Sequence, residues 1–94
     1  MSADQPADEQ FLRVFLQNEE DLRSYARALL PTWEAVDEVM QESSVVMWRK
    51  LDQLQAENEF LPWAKVIVRF EALKARRKAA RDRHQFRDEV FDLL

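Results

Sequence analysis

The chain has 94 residues, enough for one small domain with a single core near the lower size limit. It has no cysteine, no glycine and one histidine, His84, which excludes a disulfide framework, a thiolate, zinc or haem site and every glycine-rich phosphate loop. The formal net charge of −4 conceals segregation: residues 1–64 carry five basic and thirteen acidic residues (net −8), residues 65–87 carry nine and two (net +7), and residues 88–94 carry three acids.

Residues 1–7 read as a flexible tail, and residues 8–94 as one helical domain. Phe11 and Phe15 open an apolar stripe that Leu22, Tyr25, Ala26 and Leu29 continue. Asn18, followed by Glu19, Glu20 and Asp21, has the form of a helix start, so two helices are expected here, at about 8–17 and 19–30. Pro31 stops the second, and Thr32 caps the next. That helix should run to about Leu54, with Val36, Val39, Met40, Met47, Leu51 and Leu54 on its buried face. A loop follows at 56–59, where Asn58 can cap a further helix whose first turn tolerates Pro62. In that helix Trp63, Val66, Ile67, Phe70 and Leu73 mark the expected buried face. A last segment places Phe86, Val90, Phe91 and Leu94 at helical spacing. The fold class is all-α, a small helical bundle. No apolar run reaches membrane-spanning length, no signal peptide is visible, and the lack of cysteine fits a cytoplasmic protein.

Two faces do not look like core. At 100° per residue, Glu38, Gln41, Val45 and Asp52 fall opposite the buried face of the helix from 33, with Trp48 at their flank. Either the first helix covers Val45 and Trp48, or they form a docking surface whose surrounding acids favour a basic partner helix. The second face lies on the helix from 60. Six of the ten residues in KARRKAARDR, 74–83, are basic, and Lys74, Arg77 and Arg81 continue the buried stripe beyond Leu73. Lys65, Arg69, Arg76 and Arg83 form a second stripe. One or two such cations would complement a helix C-terminus, but nine exceed that need. With Trp63 and Phe70 available for stacking, the array suits a nucleic-acid backbone. Acidic proteins and anionic membranes attract such helices too.

VDEVMQESSVVMWRKLDQL, 36–54, resembles the signature of bacterial sigma-70-type factors in Glu38, Val39, Met40, Gln41, Glu42 and Trp48. FLPWAKVIVRFEALKARRKAARDR, 60–83, resembles the following block of the extracytoplasmic-function group, in its Trp-Ala start, Ile67, Arg69 and terminal basic run. The DRHQFRDEVFDLL ending is similar to a subgroup common among planctomycetes and verrucomicrobia. The resemblance covers about residues 10–94 and implies sigma domain 2. It implies that Glu38, Gln41, Glu42, Val45 and Trp48 grip the clamp helices of the largest subunit of the RNA polymerase core. It implies that the loop from Gln55 to Phe60, including Asn58, shapes a pocket for a base of the single-stranded minus-ten promoter DNA. Trp63, Lys65, Arg69, Lys74, Arg76, Arg77 and Arg81 would line the DNA side. No cofactor, metal or membrane is implied, and an anti-sigma protein is admitted as a regulatory partner.

Phe70 and Lys74 stand where many members of the group have Asn and Asp, and Pro62 replaces a small or polar residue. The second sigma domain is absent, so a fragment is expected. The competing readings are a helical interaction module that ignores the basic helix, a general DNA-binding domain indifferent to Gln41 and Trp48, and an enzyme. Glu38 and Glu42 lie one turn apart but lack the accompanying groups that catalysis needs.

Overall fold

The computed structural model describes residues 5–94, with side chains from Asp8 onward. Three helices account for most of them: α1 (Gln5–Leu29), α2 (Trp33–Arg49) and α3 (Phe60–Leu93). Single 3₁₀ turns at Leu51–Gln53 and Glu57–Glu59 flank the link between α2 and α3. Among the described residues there is no strand, as the all-α expectation requires. Residues 1–4 of the expected tail lie outside the described residues, whereas Gln5 already belongs to α1.

The two helices expected before Pro31 are one. Asn18 sits in the middle of α1 and does not cap it; its side-chain amide donates to the Val14 carbonyl at 2.8 Å, one turn back. The apolar stripe through Phe11, Val14, Leu22, Ala26 and Leu29 is continuous, and its burial outweighs a local preference for a cap. The turn after α1 works without glycine. Arg27 Nη1 donates to the Leu30 carbonyl at 2.7 Å, and the described residues have no positive φ. Thr32 then caps α2 as expected: its backbone is extended and its hydroxyl accepts from Ala35 N–H at 3.1 Å. α2 ends at Arg49, before the expected Leu54, and tightens into the 3₁₀ turn through Gln53 N–H donating to Lys50 O.

The core lies where the three helices meet. Leu22 and Ala26 of α1, Val36 and Met47 of α2, and Phe60, Ala64, Val68 and Ala72 of α3 are buried. On α3 the buried face is turned from the expected one. Ile67 is core, but Val66 and Phe70 are exposed and Trp63 and Leu73 are half-buried. The small residues Ala64, Ala72 and Ala75 face inward instead, which lets the α3 backbone approach its neighbours closely enough for ridges to enter grooves. Burial of Glu71 on this face is tolerated because Lys74 pairs with it at 3.0 Å. Core packing on α3 stops at Ala75. Every residue from Arg76 to Leu94 is exposed, including Phe86, Val90, Phe91 and Leu94. The tail of α3 therefore projects, and the molecule extends over 62 × 27 × 19 Å.

Candidate functional site

α2 carries its polar face outward because Val36, Val39, Met40, Ser43 and Met47 occupy the opposite side. Glu38, Gln41, Glu42 and Val45 are exposed on that outward face. Trp48 combines both readings open in the sequence. α1 does reach it, through an edge-on contact with Phe11 at 5.5 Å between centroids. The indole nevertheless stays 44% exposed. Phe11 also contacts Phe60 at 6.5 Å, so one ring ties all three helices behind the exposed edge of Trp48. An anchored, half-open indole loses little side-chain entropy on meeting a partner.

α3 carries the cations. Arg69, Arg76, Arg77, Arg81 and Arg83 are exposed, and none has a carboxylate within 4.0 Å among the described residues. Lys65 is half-buried and lies over the Tyr25 ring at 5.5 Å. Lys74 is committed to Glu71, and Lys78 to Asp82 at 3.3 Å. Phe70, 64% exposed and adjacent to Arg69, is an aromatic surface beside the cations.

Two residues expected on the DNA side are less open than the rest. Phe60 is 1% exposed, so its ring is core and cannot lie flat against a nucleic-acid base on the surface. Trp63 is half-buried against Phe60 at 5.8 Å. Asn58 is exposed in the second 3₁₀ turn and makes no cap; Glu59 occupies the position before α3, without a side-chain bond.

Three concavities connect these faces. The first, about 290 Å³, lies under the link between α2 and α3 and is lined by Phe11, Val14, Leu54, Gln55, Ala56 and Phe60, with Gln10 and Glu57 bonded side chain to side chain at its wall. The α1 residues of this cavity carry no local signal, since Gln10 and Glu57 are 47 positions apart. The second, about 450 Å³, separates Glu38 and Glu42 on α2 from Lys74, Arg77, Lys78 and Arg81 on α3. The third, about 990 Å³, lies between the α1–α2 turn and the projecting part of α3, where Arg27, Arg76 and Arg83 face it. Nearby, Arg23 and Arg27 both lie over the Trp33 ring at 5.6 Å, and Arg23 pairs with Asp37 at 2.7 Å, which fixes the α1–α2 corner.

No group of three or more metal-ligating side chains occurs among the described residues, and none of their helices is long and apolar enough to cross a membrane. No curated protein and no solved structure matches the chain. The family model for sigma-70 region 2 does, over residues 14–82, which takes in the outward face of α2, the link and the basic part of α3 up to Asp82. With that match covering most of its length, the chain belongs to the sigma-70 family of RNA polymerase sigma factors, as a region 2 domain.

Proposed function

We propose that this domain docks on the clamp helices of the polymerase largest subunit through α2 and holds the opened minus-ten promoter strand on α3. Polymerase binding and minus-ten recognition are what sigma region 2 implies in general. The residue assignments are Glu38, Gln41, Glu42, Val45 and Trp48 for the polymerase. Lys65, Arg69, Arg76, Arg77 and Arg81 serve the DNA, with Phe70 as a stacking surface. Lys74 contributes less than the free arginines because Glu71 already holds it. Asn58 and Trp63 border the link, and Phe60 acts from beneath, by walling the cavity that would receive a base. The chemistry is binding, not catalysis: a surface that prefers unpaired bases shifts duplex toward open strand, and unpairing costs a few kcal/mol that stacking and phosphate contacts must offset. The extracytoplasmic-function assignment, and the subgroup within it, rest on the WAKVIVRF and DRHQFRDEVFDLL segments.

The observation that carries the reading is Trp48, anchored by Phe11 yet open on a face that is otherwise polar and acidic. The test is binding of the domain to an isolated clamp coiled coil, with Gln41→Ala and Trp48→Ala checked for folding by circular dichroism. Trp48→Ala should weaken binding by roughly 30-fold or more, the scale of an aromatic interface anchor. A folded wild type that ignores the coiled coil at low salt would sink the docking assignment.

A further inference from the structure

The buried face of α3 does not end where the core ends. At about 100° per residue, Ala79, Phe86, Val90 and Leu93 fall within the same arc of about 60° as Val68, Ala72 and Ala75. Val68 and Ala72 are fully buried in the bundle, whereas Phe86 is 67% and Leu93 85% exposed. From Ala79 to Leu93 the stripe runs on in register for about 20 Å, and no described residue covers it. The charge beside it changes sign along the helix: residues 74–83 hold six cations and one acid, residues 88–94 three acids and no cation. The concavity of about 990 Å³ lies where the stripe leaves the bundle, and it combines apolar Leu29, Pro31, Ala35 and Ala79 with five cations against two acids.

From this geometry we infer that the stripe is covered by a second copy of the chain, whose α3 tail lies antiparallel to the first about a twofold axis near Phe86. Symmetry about Phe86 sets Ala79 of each copy across from Leu93 of the other, small against large. It also brings the acidic end of each tail beside the cations of the other copy's concavity. Parallel pairing is sterically blocked, because α1 and α2 occupy this face of α3 as far as Ala75 and two bundles at the same end would collide. The same three acids make this end of α3 a poor match for an anionic membrane or a polyanion. Pairing supports a helix segment that is marginal alone. The inference stands apart from the polymerase and DNA assignments, since Phe86, Val90 and Leu93 serve neither.

The test is sedimentation of the whole chain over a range of concentrations at low salt. Wild type should pass from monomer to dimer in the micromolar range, the strength of a small interface. Phe86→Gln with Leu93→Gln should weaken the dimer roughly tenfold or more. Leu16→Gln, on a separate exposed patch of α1 beside Trp33, should leave it unchanged. All three substitutions fall on exposed side chains, so the unfolding midpoint of the bundle should stay where it is. Orientation is read by thiol cross-linking, which the absence of native cysteine makes site-specific. When the Ala79→Cys and Leu93→Cys variants are mixed with a short bismaleimide, the mixed product should exceed either self-linked one. A wild type that stays monomeric at every concentration, or a dimer that ignores the Phe86 and Leu93 substitutions, overturns the inference. An excess of self-linked products would show parallel tails and overturn the antiparallel arrangement.

Discussion

Ser43 is fully buried on α2, and its hydroxyl has no hydrogen-bond partner among the described residues. A buried, unsatisfied polar group costs about 1–3 kcal/mol, so Ser43→Ala should stabilise the domain by about 1 kcal/mol after the small loss of packing. Chemical denaturation at unchanged slope checks this; destabilisation would mean that the hydroxyl has a partner in solution. The same helix shows which side chains were legible beforehand. Gln41, Val45 and Trp48 could be placed opposite the well-defined apolar face of α2, but whether the first helix covers Val45 and Trp48 stayed open until the fold showed both exposed. Phe60 could not be placed as core. A large aromatic beside a basic run reads equally as core or as a stacking surface, and only packing against Phe11 decides that Phe60 is core.

At the scale of elements, local signals succeeded where the end of a helix depends on a few adjacent residues. Thr32 is such a case, and Thr32→Ala should cost about 1 kcal/mol, measured as a lower denaturation midpoint, because it removes the acceptor for Ala35 N–H. Local signals failed where a continuous stripe overrode them, as at Asn18, and where small residues displaced large ones from an interface, as on α3. Pattern reading favours large apolar residues, whereas close helix approach selects Ala64, Ala72 and Ala75. The end of the core was legible, since three cations succeed Leu73 on the expected face. Its consequence is a helix segment with no tertiary support, and an isolated helix of that length is marginal in water. Amide hydrogen exchange should show protection falling progressively past Ala75, by roughly two orders of magnitude or more between residues 62–72 and residues 84–93. Uniform protection along α3 would show that the tail is held by a contact with another molecule.

At the scale of the whole molecule, charge is distributed by element. A protein with net charge −4 spread evenly would repel a polyanion, but here the acids lie mainly on α1, α2 and the link and the free arginines on α3. Five of those arginines, at 69, 76, 77, 81 and 83, have no carboxylate within 4.0 Å among the described residues. If all five neutralise phosphates of a single strand, the logarithm of affinity should fall with the logarithm of salt at a slope of about −3.5. That slope is roughly a 100-fold loss between 50 and 200 mM. Arg76→Ala should reduce the slope by about 0.7 and leave the circular dichroism spectrum unchanged, since the side chain supports no part of the core. The same substitution should weaken binding to all sequences alike, because phosphate contacts position a strand without reading it. Sequence preference should respond instead to changes around the cavity under the link, where Gln55 and Glu57 meet residues of α1. A salt slope near zero would assign the arginines to something other than nucleic acid, and a slope unaffected by Arg76→Ala would place the bound strand away from the face of α3 that Arg76 shares with Arg69 and Arg83.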